Sequence, residues 1–216
     1  EKPLAMNHAQ AMAVVEAAVA GGVFLMEAFM YRTHPQTRKL VELLREKVIG
    51  EVRLIQAAFS FDVKNVAPTH RLIANDLGGG GILDVGCYPV SMSRLIAGVA
   101  LGRDFADPIE IKAAGHLGAT GVDEWSSAIL KFPGDIIAGV STGVQLNQDN
   151  VCRIYGTGGW ILLPTPWVPS KGGGKSSIII HRPGDTPAQE IVVESPRQIY
   201  ALEADFFAEN LSRKQA

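Results

Sequence analysis

The sequence is poor in the residues that cross-link a chain, bind metals or charge a surface. Its 216 residues hold two cysteines, Cys87 and Cys152, far apart and outside any CxxC or Cys/His cluster. That excludes a disulfide framework and a zinc-type site. The five histidines, His8, His34, His70, His116 and His181, show no HxxxH spacing, so no metal site is read from them. Lys and Arg total 20 against 22 Asp and Glu, a formal net charge of −2, and no basic surplus exists to attract phosphate backbones or anionic lipid. Neither nucleic acid nor membrane is expected as a partner. No apolar run reaches the roughly 20 residues of a membrane-spanning helix, and the N-terminus lacks the charged-then-apolar order of a signal peptide. A cytoplasmic setting is expected, although an export signal upstream of Glu1 would be out of view.

What is present is ordinary globular material: 47% hydrophobic and 19% charged residues, enough to bury a substantial core. Ala11, Val14, Val15 and Ala18 recur at the spacing of one buried helical face, predicting a helix from Met6 to Ala20 that Gly21 and Gly22 end. Val23 to Phe29 reads as a short buried strand. Thr33 and Gln36 have capping-box spacing, and Pro35 with Leu40, Leu43 and Leu44 predicts a helix running to Gly50. A strand over Val52–Val63, a loop over Asn65–Leu77 carrying His70, Arg71 and Asp76, and a helix over Ile82–Ala97 follow.

Seven strands are then expected, near Ile109–His116, Trp125–Phe132, Ile136–Val144, Val151–Tyr155, Trp160–Leu163, Ser177–His181 and Glu190–Val193, with a polar loop at Lys171–Lys175 and a last helix at Tyr200–Leu211. Consecutive strands with hairpin-length connections predict an α+β fold: a largely antiparallel open sheet covered on one face by helices.

Candidate chemistry centres on Gly78–Gly81, which leads into Ile82-Leu83-Asp84-Val85-Gly86-Cys87-Tyr88. Asp84 and Tyr88, at i and i+4, share one helical face, and glycines let a backbone approach a ligand closely. On the residues alone, a turn, a helix cap at Asp84 and a packed Tyr88 explain the same pattern. Gly139-Val140-Ser141-Thr142-Gly143 matches a GxSxG nucleophile elbow, with Asp149 and His181 following in hydrolase order. The residues after it lack helical periodicity, which favours a glycine-containing strand. Gly174-Lys175-Ser176 imitates the end of a P-loop, but Pro169 occupies the place of its first glycine.

Four motifs in order carry a resemblance: Glu1-Lys2-Pro3-Leu4-Ala5, Tyr31-Arg32 before His34-Pro35, the glycine run into Asp84-Val85-Gly86-Cys87-Tyr88, and Ile154-Tyr155-Gly156-Thr157-Gly158-Gly159. Together they resemble the Gfo/Idh/MocA oxidoreductases, in the branch with glucose-fructose oxidoreductase and dimeric dihydrodiol dehydrogenase. The resemblance implies hydride transfer between NADP or NAD and a hydroxyl or carbonyl of a small sugar, polyol or cyclic diol. It makes Tyr88 the acid/base, assisted by Lys2 and Asp84, and sets Glu1, Lys2, Pro3 and Arg32 near the cofactor; His70 is a further candidate substrate contact from its place in the loop before the glycine run. A neighbouring Lys2 ammonium would lower the tyrosine pKa from its usual value of roughly 10.

The same resemblance divides the chain into residues 1–30, a remnant of a nucleotide-binding domain with its last helix and strand, and residues 31–216, a substrate and oligomerisation domain. It also implies a homodimer or tetramer joined through the sheet. The GxGxxG fingerprint of a Rossmann domain is missing from the sequence, so the chain by itself is expected to be inactive. The alternatives are a non-catalytic, sheet-mediated oligomerisation module and, less favoured, a serine hydrolase acting through Ser141.

Overall fold

The computed structural model describes residues 1–213. Helix α1 (His8–Gly21) is capped by Asn7, whose side chain accepts the Gln10 N–H, and ends on Gly22 in the left-handed conformation (φ 61°). Of its predicted apolar face only Ala18 is fully buried, and Val14 and Val19 are exposed. The next segment corrects the expectation of a strand: residues 23–29 form no ladder, although Phe24 and Phe29 are buried. A strand exists only where a neighbour satisfies its backbone groups in a ladder, and here the N-terminal segment offers only the isolated bond from the Ala28 N–H to the Glu1 carbonyl.

A short turn of helix, α2 (Met30–Thr33), leads into α3 (Pro35–Arg45). The cap of α3 is not Thr33, as its spacing suggested, but His34, whose Nδ1 accepts the Gln36 N–H at 3.1 Å. Thr33 is already engaged, its hydroxyl donating back to the Met30 carbonyl at 2.9 Å. The α-helix stops at Arg45, short of the predicted Gly50.

Eight strands make one sheet, in the order β2-β3-β4-β1-β5-β6-β7-β8. They are β1 (Val52–Ser60), β2 (Glu110–Leu117), β3 (Asp123–Phe132), β4 (Ile136–Gly143), β5 (Cys152–Gly156), β6 (Gly159–Leu163), β7 (Gly174–His181) and β8 (Gln189–Ser195). Every pairing is antiparallel except β1 with β4, which run parallel at the sheet's centre. The expected loop over Lys171–Lys175 is shorter than its composition implied, because β7 already begins at Gly174.

Between β1 and β2 a π turn (Ile82–Gly86) continues into α4 (Cys87–Ala100). Helix α4 lies over β1 and β4, and α3 lies over β7 and β8. Period-2 alternation explains the one-sided core. On the covered face Leu130, Phe132, Ala138, Ile154, Ile161, Ile178 and Ile180 meet Leu40, Leu44, Met92 and Ile96 of the helices. The helical stretch Asn75–Ala100 is apolar enough by composition to cross a bilayer, yet 61% of its most hydrophobic window is buried within the protein. A helix packed on a sheet needs that composition for its core contacts. The last helix, α5 (Ile199–Asn210), packs against α2, with Phe207 edge-on to Phe24 at 5.0 Å.

Candidate active site

The glycine run builds the site by close packing. Gly78 (φ 69°) sits where a Cβ would lie 2.9 Å from the Met6 side chain, and a Cβ on Gly79 would lie 2.9 Å from the backbone of Leu72–Ala74. Only glycine permits that approach, so the run draws the N-terminal segment and the 70–77 loop onto the start of the π turn. The turn is capped from a distant strand: the Asp123 carboxylate accepts the Ile82 N–H at 2.8 Å and the Ser126 hydroxyl at 3.0 Å. Burial raises the Asp123 pKa, against the opposing pull of these hydrogen bonds. Asp84 is therefore not the cap and keeps its carboxylate for other partners.

Lys2 supplies one of them. Its Nζ donates to the Asp84 backbone carbonyl and lies 3.4 Å from Asp84 Oδ1. The segment around it is held by Leu4 N–H donating to Glu27 Oε1 at 2.8 Å. Arg71, which the sequence showed only as a loop residue, brings Nη1 to 3.4 Å from the same Oδ1. Lys2, Pro3, Met6, Arg71, Leu83 and Asp84 line a cavity of about 200 Å³.

Tyr88 lies behind this cluster. Lys2 Nζ is 5.2 Å from the centroid of its ring, within cation–π range. The wider i→i+5 turn before α4 breaks the simple i, i+4 alignment, and the Tyr88 hydroxyl points inward, donating to Met30 Sδ at 3.4 Å. Phe29 and Phe59 stand edge-on to its ring, each at 5.2 Å. Burial in this aromatic nest raises the tyrosine pKa, with the Cys87, Tyr200, Asp84 and Glu203 charges adding in the same direction. The expectation that Lys2 lowers it is thus corrected: desolvation of the phenolate dominates, and the neighbouring charges add to it.

The remaining candidates separate. Arg32 is committed elsewhere, donating from Nη2 to Ser91 Oγ at 2.8 Å and to the Ser91 carbonyl at 3.1 Å, with its guanidinium over Phe105 at 4.7 Å. It lines a different, larger groove between α3 and α4, not the Lys2 cavity. His70 is exposed, its Nδ1 accepting the Leu72 N–H at 3.3 Å, and it does not line the cavity. Glu1 contributes its backbone carbonyl, which accepts the Ala28 N–H. Ser141 lies within β4, its Oγ accepting from Gln148 Nε2 at 3.1 Å, and no helix follows it. His181 stacks on Trp160, and Asp149 pairs with Arg153, so the hydrolase constellation does not form.

A nicotinamide dinucleotide fits these residues in part. Lys2 Nζ and the Asp84 carboxylate would offer polar partners to the ring end of such a cofactor approaching from outside the cavity. The diphosphate finds no cradle here, because the amides of Gly78, Gly79 and Gly80 bond to Asn75, Ala74 and Leu72 carbonyls. The Gly156–Gly159 turn joining β5 to β6 is likewise engaged, its Thr157 and Gly158 amides donating to the Glu51 and Ile49 carbonyls.

Fold and site define an α+β domain of the open-sheet class, whose helical face carries a charged cleft. The chain belongs to the Gfo/Idh/MocA family: residues 37–162 match its C-terminal domain. It is 37% identical over 171 residues to trans-1,2-dihydrobenzene-1,2-diol dehydrogenase of Xenopus tropicalis, covering 79% of this chain and 49% of that protein. The human protein of the same name is 29% identical over 79% of this chain. Among solved structures, a 3-ketoreductase from Actinomadura kijaniata in complex with TDP-benzene and NADP superposes with a TM-score of 0.81 at 26% identity, covering 99% of this chain and 61% of that one. An aldose-aldose oxidoreductase from Caulobacter crescentus shares the fold, with a TM-score of 0.80 at 21% identity over 99% of this chain and 61% of that one. The chain spans about half the length of the curated relatives it matches.

Proposed function

We propose that this chain is the substrate-side part of an NAD(P)-dependent oxidoreductase acting on a hydroxyl or carbonyl of a sugar, polyol or cyclic diol. The observation that carries the reading is that Lys2 pairs with Asp84 and lies over the ring of Tyr88, residues 82 and 86 positions away from it in sequence. The dihydrodiol dehydrogenases and the NADP-bound ketoreductase support it as relatives.

A bound nicotinamide would supply the hydride. The chain's own part is the proton and the orientation. Tyr88, which like any tyrosine carries its hydroxyl proton at neutral pH, would act as the general acid, the proton passing to a carbonyl oxygen as that oxygen gains charge. Its present acceptor is the buried Met30 thioether, which binds a donor weakly, so the hydroxyl would have to turn from the core toward Lys2 to meet a substrate oxygen. Lys2 would stabilise the developing alkoxide, and Asp84 would orient Lys2 and accept from a substrate hydroxyl. In the complete protein, Tyr88→Phe should lower kcat by about 10²- to 10⁴-fold. NADPH binding, followed by fluorescence titration, should remain nearly intact. Near-normal turnover would sink the assignment.

A second reading, compatible with the first, is self-association through the uncovered face of the sheet. Trp125, Ile129, Ile137 and Val192 are exposed there, an apolar surface suited to a second copy of the chain.

A further inference from the structure

We propose that Arg71 is an anion-recognition residue and that the substrate taken at this site carries a carboxylate or phosphate beside its reacting hydroxyl or carbonyl. This rests on the oxidoreductase reading for the identity of the reacting group, but not for the charge. Lys2 and Asp84 already form a neutral pair, with side chains only 20% and 15% exposed. Arg71 approaches the same Asp84 oxygen with a single N–H, and its side chain is 70% exposed. That contact is its one hydrogen bond within the described residues, so most of its five guanidinium donors are free.

The cavity wall thus carries two cations against one carboxylate, a local surplus on a chain whose formal net charge is −2. The other charged member of the loop, Asp76, lines a separate recess with Pro68, Thr69 and Thr120 and does not offset it. A planar guanidinium at the cavity mouth matches the two oxygens of a carboxylate or phosphate. Pro3, Met6, Leu72, Leu77 and Leu83 give the cavity apolar walls beside that pair. At about 200 Å³ the cavity is small for a ligand site, which points to a compact anion such as a sugar acid or a sugar phosphate.

The test is calorimetric titration of the complete protein, saturated with NADP, with sodium D-gluconate, D-glucose 6-phosphate and D-glucose. Wild type should bind at least one of the two anions more tightly than D-glucose, and R71Q should weaken that anion by about tenfold or more, the scale of one charge-assisted pair. Preference for gluconate identifies a carboxylate, and preference for glucose 6-phosphate a phosphate. Equal binding of all three, or an anion preference that survives in R71Q, overturns the inference. So does an R71Q effect confined to NADP affinity, which would assign the cation to the cofactor. Arg71-dependent anion binding in a protein whose Tyr88→Phe variant turns over normally would sink the oxidoreductase assignment and leave the anion site standing.

Discussion

His34 shows how one buried ring can couple a helix start to pH. It has no exposed surface, and with Nδ1 accepting from Gln36, its Nε2 carries the proton of the neutral ring and faces Ser170 Oγ at 3.0 Å. Protonating Nδ1 would set two donors against each other. Burial, reinforced by the Arg38 charge, lowers the His34 pKa from 6.5 to about 4. The folded state then refuses a proton that the unfolded chain accepts, so stability present above pH 6.5 is lost as the pH falls toward 4. Urea midpoints should drop by the equivalent of about 2 kcal/mol between about pH 7 and pH 5 in wild type. The drop should flatten in His34→Asn, whereas an unchanged slope would assign it to other groups. Tyr88 has the opposite dependence: its raised pKa favours the folded state below pH 10.0 and that contribution fades as the pH climbs through the folded value. The pH behaviour of neither residue was legible in the sequence. The Thr33–Gln36 spacing pointed to the wrong cap because Thr33 finds a nearer acceptor, and the burial of Tyr88 depends on Phe29 and Phe59, which are remote from it in sequence.

Among the elements, α4 joins the site to the core. Its N-terminal π turn aims Asp84 outward and Tyr88 inward, while Gly98, near its other end, lets the returning chain cross at close range. A Cβ at position 98 would lie 2.5 Å from the Phe105 Cα. Alanine there gains about 1 kcal/mol of helix propensity. Displacing the Phe105 backbone costs about 1–3 kcal/mol. Gly98→Ala should therefore lower Tm on thermal melting and loosen Arg32, whose guanidinium rests on Phe105. A melting point at or above wild type would show that the backbone yields freely. The elements themselves were readable where local pattern and tertiary demand agreed. The seven strands after Ala100 follow their period-2 alternation and turn residues closely. Residues 23–29 failed because a strand is defined by its neighbours, and α1 keeps an apolar face that packs on little among the described residues.

For the whole molecule, the sheet divides the chain into a closed face and an open one. Helices α3 and α4 bury the closed face; the open face presents Trp125 stacked on His116 at 4.2 Å and Trp160 stacked on His181 at 3.7 Å. If this face joins two copies, a double substitution Trp125→Asp, Ile129→Asp should shift sedimentation toward a monomer without loss of far-UV signal, since both side chains already lie in solvent. An unchanged assembly state would place any interface elsewhere. The sequence alone determined the element order from Pro35 onward apart from the π turn, the largely antiparallel class of the sheet and the helical cover, because these follow from hydrophobic period and turn chemistry, which are local. It also marked Lys2, Asp84 and Tyr88 through ordered motifs. Only the tertiary structure decided that Asp123 rather than Asp84 caps the turn, that Arg71 joins Lys2 on one carboxylate while Arg32 does not, and that burial raises the Tyr88 pKa. Capping across 41 residues, ion pairing across 82 and desolvation are set by which distant groups meet in space, and no local pattern encodes that.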